Sequence, residues 1–93
     1  MSEPNTEERR VRIQNRMGLH ARPAAEFVKL AGKYSSDITL AKGDLEVNGK
    51  SIMGVMMLAA EQGSEMVVRG RGSDAEAAVD ALASLIQNGF GEA

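Results

Sequence analysis

The spacing of apolar residues along the chain predicts four strands and three helices. Val11 and Ile13 alternate with arginine and glutamine, which is typical of a strand that buries one face. Ala24, Phe27 and Ala31 recur at the three- and four-residue spacing of an amphipathic helix. In chain order, the pattern predicts a strand at 9–15, a helix from 21 to near 32, strands near 37–40 and 45–47, a short helix at 51–59, a strand at 65–71, and a helix that starts near 75 and stops before 88.

Each predicted strand has a single apolar face, which indicates one sheet covered by helices on one side and by water on the other. The order βαββαβα therefore predicts an α+β fold, an open-faced β-sandwich. Residues 1–8 are polar and charged, and we expect them to form a disordered tail ahead of a single domain at 9–93.

Proline, glycine and capping residues predict where the helices begin and end. Pro23 suits the first turn of a helix, and Gly32 is typical of a helix C-terminus. Ser73 and Glu76 form the S-x-x-E pattern of a capping box at the start of the last helix.

The composition argues against several classes of function. The chain has no cysteine and one histidine, which leaves no disulfide and no expected metal site. The longest apolar stretch, 52–60, is far shorter than the roughly 20 residues of a membrane span. Its polar start lacks the apolar region of a signal peptide, so we expect a cytoplasmic protein without membrane insertion.

The charge balance argues against nucleic-acid binding. Eleven basic and 13 acidic residues give a net charge of −2, and two phenylalanines and one tyrosine offer no platform for stacking bases. The one basic cluster, which we interpret as a solvated strand edge, consists of Arg9, Arg10, Arg12 and Arg16.

His20 lies where an extended segment turns into the first predicted helix. This position puts its ring beside unpaired backbone N–H groups and the positive end of the helix dipole. A phosphorylated imidazole would gain from both, and Arg22 adds a planar cation suited to phosphate. The local pattern predicts a phosphohistidine site, with an ordinary surface histidine as the alternative.

Two motifs resemble the HPr family, the phosphocarriers of the bacterial phosphotransferase system. The segment G-L-H-A-R-P-A-A-x-F-V at 18–28 is similar to the family's active-site segment, and K-S-I-M-G-V-M-M-L at 50–58 is similar to its regulatory serine segment. The similarity extends from about 11 to about 90. It implies a four-stranded antiparallel sheet in the order β1-β4-β2-β3 with three helices on one face, no cofactor, and a monomer.

The same resemblance implies a function. Enzyme I would pass a phosphoryl group to Nδ1 of His20, Arg22 would stabilise the phosphate, and an EIIA-type protein would receive the group next. The protein would then be a carrier rather than an enzyme. A small enzyme with His20 as general base is a further alternative, but no partner residue stands at a plausible spacing.

Ser51 admits two interpretations. As an N-cap, its hydroxyl would satisfy one backbone N–H group of the short helix. In the HPr family the matching serine is phosphorylated by a kinase/phosphorylase, which would add about −1.5 to −2 charges and repel acidic groups of a docking partner. A regulatory binding module that acts through phosphorylated Ser51 is a further alternative.

The short helix is apolar on more than one side, which a single-sheet domain cannot fully bury. A loose, methionine-filled core is the other interpretation of this pattern. The resemblance implies instead a docking surface around His20, made of Ala21, Ala25, Lys29, Ile52, Met53 and Met56.

The residues just before His20 leave the branch of the system open. N-R-M-G at 15–18 resembles nitrogen-related NPr proteins and many proteobacterial HPr proteins. Sugar-transport HPr proteins more often have a small or polar residue in place of Met17, whereas several NPr proteins have alanine in place of Pro23.

Overall fold

The structure, a computed structural model, describes residues 5–92. Its elements follow the predicted order βαββαβα, with one additional short 3-10 helix near the C-terminus. They are β1 (Thr6–Arg12), α1 (Ala21–Ala31), β2 (Asp37–Lys42), β3 (Leu45–Asn48), α2 (Ile52–Met57), β4 (Glu65–Arg71), α3 (Ala75–Gln87) and the 3-10 helix (Gly89–Gly91). The four strands form one antiparallel sheet in the order β1-β4-β2-β3, so the implied topology is confirmed.

The core lies between one face of the sheet and the helices. Leu40 and Val68 point from the central strands towards Phe27 of α1 and Leu82 of α3, and all of these side chains are fully buried. On the opposite face, Arg69 of β4 forms ion pairs with Glu8 of β1 and with Glu46 of β3. One apolar and one charged face confirm the open-faced α+β sandwich.

Strand β1 begins earlier than the alternation of apolar residues predicts. Thr6 pairs with Arg71 and Glu8 with Arg69, so residues 6–8 belong to the sheet rather than to a disordered tail. The sequence pattern did not predict this, because residues 6–8 are all polar. Glu8 is stabilised instead by the neighbouring strand, where Arg69 Nε donates to its carboxylate at 2.8 Å. Residues 1–4, also expected in the tail, lie outside the described residues.

The predicted capping box at the start of α3 is wrong. The N-cap is Asp74 rather than Ser73, and its side chain makes no capping bond to the helix. Its carboxylate instead accepts hydrogen bonds from the backbone N–H groups of Ser35 and Ser36, at 2.9 Å each, and from both hydroxyls. These bonds, with that of the Ser36 hydroxyl foremost, lower the pKa of Asp74 to about 2. The start of α3 is therefore tied to the chain entering β2.

The other predicted helix ends are close to those observed. Helix α1 stops at Ala31, and Gly32 follows in right-handed helical geometry, with φ −65°, so this end makes no use of glycine's left-handed freedom. Helix α3 stops at Gln87. The chain then turns sharply at Phe90, a buried residue with φ +56°, and this turn directs the C-terminal residues back towards the start of α1.

Candidate functional site

His20 is the N-cap residue of α1, as predicted. Its backbone is extended, with φ −74° and ψ −175°, and its side chain makes no capping hydrogen bond. The first helical bond runs from Ala24 N–H to the His20 carbonyl at 3.0 Å, which leaves the N–H groups of Ala21 and Arg22 without a helical partner. Pro23, the third residue of the helix, has no N–H group. Two backbone donors and the positive end of the dipole therefore lie beside the imidazole.

A tight turn before α1 fixes the position of His20. Gly18 N–H donates to the Asn15 carbonyl at 3.1 Å, and Leu19 N–H donates to the Ala60 carbonyl at 2.9 Å. The second bond requires a close approach of two backbones, because a Cβ on Gly18 would lie 2.3 Å from the Ala60 oxygen. Gly18 also has φ +65°, a left-handed conformation that glycine adopts without strain. The residue before His20 is thus anchored to the chain that follows α2.

Glu92 is a central residue of the site that the sequence analysis missed. Its carboxylate oxygens lie 3.0 and 2.8 Å from Nε2 of His20, and both side chains are partly buried. Asn15 Nδ2 donates to the same carboxylate at 2.8 Å, and Arg22 Nε donates at 2.9 Å. His20, then Asn15 and Arg22, lower the pKa of Glu92 to about 2. The one available signal was the N-G-F-G run at 88–91, which marks a turn after α3.

Arg22 lies beside His20, as predicted, but its guanidinium already has several partners. Nη1 donates to Glu26 at 2.9 Å, one turn along α1. Nη2 donates to the Phe90 carbonyl at 3.0 Å and lies 2.8 Å from Glu92. Two carboxylates therefore offset its positive charge, and the planar group is held in one orientation.

An open cavity of about 400 Å³ adjoins the histidine, lined by Arg16, Met17, His20 and Glu92. Arg16 thus differs from the other members of the predicted basic cluster, which lie on β1 at the edge of the sheet. Arg9 forms an ion pair with Asp80 at 2.8 Å. The prediction of a solvated strand edge therefore describes the β1 arginines but is wrong for Arg16.

Ser51 is the N-cap of α2, which confirms the first interpretation of this residue. Its Oγ accepts a hydrogen bond from Gly54 N–H at 3.1 Å, and its backbone is extended. The side chain is partly exposed. Its hydroxyl is therefore partly buried at the start of a short helix.

Helix α2 buries one side and exposes the other. Val55 and Leu58 are buried, whereas Met53 is 75% exposed and Met57 is 68% exposed. Ile52 and Met56 are exposed to 41% and 43%, so the interpretation of these side chains as a methionine-filled core is wrong. On α1, the residues at four-residue spacing from the N-terminus, Ala21, Ala25 and Lys29, are also exposed.

Among residues 5–92, no group of three or more His, Cys, Asp or Glu side chains is arranged to hold a metal ion. No helix in that part of the chain is long and apolar enough to cross a membrane.

Comparison with known proteins gives one consistent result. The family described as "PTS HPr component phosphorylation site" matches residues 7–88. The phosphocarrier protein HPr of Treponema pallidum is 49% identical over 82 residues, which cover 88% of this chain and 93% of that protein. The phosphocarrier protein NPr of Shewanella violacea is 38% identical over 86 residues, which cover 92% of this chain and 94% of that protein.

Solved structures agree with the sequence comparison. The crystal structure of HPr-C-His from Thermoanaerobacter tengcongensis matches with a TM-score of 0.89 and 47% identity, and the match covers 94% of this chain and 98% of that one. The chain therefore belongs to the HPr family of phosphocarrier proteins of the phosphotransferase system.

Proposed function

We propose that this protein accepts a phosphoryl group on His20 from phosphorylated enzyme I and passes it to an EIIA-type protein. The observation that carries the proposal is the position of His20 at the N-terminus of α1. The ring lies beside the unpaired N–H groups of Ala21 and Arg22 and beside the Arg22 guanidinium. These groups suit an anionic phosphoryl group on the ring.

The site has the properties that a carrier needs. A neutral imidazole has an unprotonated ring nitrogen that can act as a nucleophile. Arg22 provides positive charge, but Glu26 and Glu92 already bind its guanidinium. A phosphoryl group therefore meets a cation that is partly neutralised, and this limits how tightly the group is held before onward transfer.

The partners would bind across α1 and α2. We define the docking face as the exposed residues Ala21, Ala25, Lys29, Ile52, Met53 and Met56. Exposed apolar side chains are typical of binding surfaces, and methionine adapts to partners of different shape. Enzyme I and EIIA would bind this face in turn, in the cytoplasm and with the carrier as a monomer. The reacting chemistry is shared with the partner, so the protein itself is a carrier rather than an enzyme.

Ser51 would regulate these encounters. Its hydroxyl caps α2 at the start of the helix that carries Ile52, Met53 and Met56. A phosphate there would add about −1.5 to −2 charges beside the docking face without melting the helix, because negative charge is favourable at a helix N-terminus. A kinase/phosphorylase of the HPr family would add and remove this phosphate.

A regulatory EIIA of the nitrogen branch is the second candidate for the protein that accepts the phosphoryl group from His20. Met17 is 73% exposed and lines the cavity beside His20, so this residue would contact whatever approaches the ring. Because sugar-transport HPr proteins more often have a small or polar residue at this position, a regulatory EIIA is an alternative acceptor to a sugar-specific one.

The carrier role is tested by intact mass after incubation with phosphoenolpyruvate and the cognate enzyme I. We expect an acid-labile gain of one phosphoryl group in the wild type and none in His20→Ala. Ser51→Ala is the control, since it retains the ring and should gain the group normally. A phosphoryl gain in His20→Ala, or no gain in a folded wild type, would contradict the proposal.

A further inference from the structure

We propose that Glu92 is a positioning residue for phosphoryl transfer, which holds the His20 ring with its proton on Nε2 and its lone pair on Nδ1. This inference rests on the proposed function and adds to it a residue at the opposite end of the chain. Glu92 and His20 are separated by 72 positions in the sequence.

The chemistry of the contact determines which ring nitrogen carries the proton. The neighbours of Glu92 keep its pKa at about 2, so the carboxylate is ionised at neutral pH and can only accept hydrogen bonds. Its oxygens lie 2.8 and 3.0 Å from Nε2 of His20. Nε2 must therefore be the donor, and in a neutral imidazole this leaves Nδ1 unprotonated. Within residues 5–92, Nδ1 has no hydrogen-bond partner, so it is available to attack phosphorus.

Two further side chains hold the carboxylate in place. Asn15 Nδ2 donates to Oε1 at 2.8 Å, and Arg22 Nε donates to Oε2 at 2.9 Å. Asn15 is only 1% exposed, and the same amide nitrogen also donates to the Gly18 carbonyl at 2.8 Å. Because both partners of this nitrogen are acceptors, the amide orientation is unambiguous. Glu92 is thus oriented by a buried residue of the turn that also positions His20.

The transfer step gives the carboxylate a role beyond orientation. The Nδ1 lone pair forms the new bond to phosphorus, and the bond between phosphorus and the donor breaks with its electron pair returning to the donor. The ring becomes positively charged and keeps its proton on Nε2. Glu92 stabilises that charge, as a carboxylate hydrogen-bonded to a catalytic histidine does in enzymes. Onward transfer reverses these changes, and the neutral ring returns with its proton still on Nε2.

A competing interpretation is that Glu92 blocks the site by occupying the place of the phosphoryl group. Its contacts argue against this. The carboxylate binds Nε2, whereas the phosphoryl group would lie on Nδ1. The two interpretations also predict opposite effects of removing the carboxylate. Loss of a positioning carboxylate would slow phosphoryl transfer, whereas loss of a blocking carboxylate would speed it.

The test compares wild type, Glu92→Ala and Glu92→Gln, with Glu76→Gln as the matched control at an exposed carboxylate in α3. Nitrogen-15 NMR of the unphosphorylated proteins above pH 8 reports the His20 tautomer. We expect the Nε2–H form to dominate in the wild type and in Glu76→Gln, and a mixture of both forms in Glu92→Ala. Glu92→Gln retains a neutral acceptor and should favour the Nε2–H form less than the wild type does.

The same proteins are then assayed for the rate of phosphorylation by enzyme I. Glu92→Ala should be slower by about 10-fold or more, in line with the loss of a carboxylate that orients a functional histidine. An unchanged tautomer ratio in Glu92→Ala, or an equal or faster transfer rate, would overturn the proposal. The NMR result needs no phosphorylation, so a wild type that accepts no phosphoryl group would contradict the carrier function separately.

Discussion

Gly18→Ala is expected to destabilise the fold and displace His20. Gly18 has φ +65°, and a Cβ at this position would lie 2.3 Å from the Ala60 carbonyl oxygen. That oxygen accepts the hydrogen bond from Leu19 N–H at 2.9 Å, so relieving the overlap pulls the two backbones apart and breaks the bond. The turn that anchors His20 would then lose its attachment to the chain after α2.

The magnitude follows from two contributions. A left-handed conformation costs an alanine about 1–2 kcal/mol, and the loss of one hydrogen bond costs about 1 kcal/mol. The free energy of unfolding should therefore fall by about 2–3 kcal/mol. Gly43→Ala is the matched control, because Gly43 has φ +59° and an added Cβ would meet no atom within 4 Å. This control should show only the conformational cost of about 1–2 kcal/mol.

Urea unfolding of the wild type and both variants measures these differences directly. Phosphorylation by enzyme I, assayed where all three proteins are folded, should be slower in Gly18→Ala and unchanged in Gly43→Ala. If Gly18→Ala proves as stable as Gly43→Ala, the close approach to Ala60 carries no cost and the reasoning is refuted.

Three further predictions concern single side chains. Arg22→Lys should slow phosphoryl transfer several-fold, because a compact ammonium lacks the planar fork whose separate nitrogens bind Glu92 and the Phe90 carbonyl; equal transfer rates would show that the planar group is dispensable. Ser51→Asp should slow transfer from enzyme I, whereas Ser51→Ala should leave transfer unchanged and cost about 1 kcal/mol of stability in urea unfolding. The lowered pKa of Asp74, about 2 in the folded protein, stabilises the fold above pH 4, and this contribution is lost as the pH falls towards 2. Asp74→Asn should flatten that part of the pH–stability curve, and an unaltered curve would count against the Ser36 hydrogen bond as its cause.

The elements of the fold could be predicted because their signals are local. Alternating and helical spacings depend on residues a few positions apart, and they gave the element order and the boundaries of β4 correctly. The early start of β1 and the cap of α3 depend instead on distant residues. Glu8 is stabilised by Arg69. The carboxylate of Asp74 accepts a hydrogen bond from the Ser36 hydroxyl instead of capping α3. A sequence pattern contains no information about such partners.

The candidate site divides in the same way. His20, Arg22 and Ser51 stand in short motifs at the starts of helices, so their positions could be predicted from neighbouring residues. Glu92 and Asn15 enter the site through contacts that span 72 and 77 positions. Their roles require the turn at the end of α3 and the turn before α1 to meet, which only the assembled fold shows.

The most direct test of the carrier role is onward transfer from the isolated phosphorylated protein. The wild type, labelled on His20 through enzyme I and freed of enzyme I and phosphoenolpyruvate, is mixed with the cognate EIIA. We predict that the label leaves this protein and appears on EIIA without passing through inorganic phosphate. Label that stays on His20, or is released as inorganic phosphate while EIIA remains unlabelled, would contradict the account.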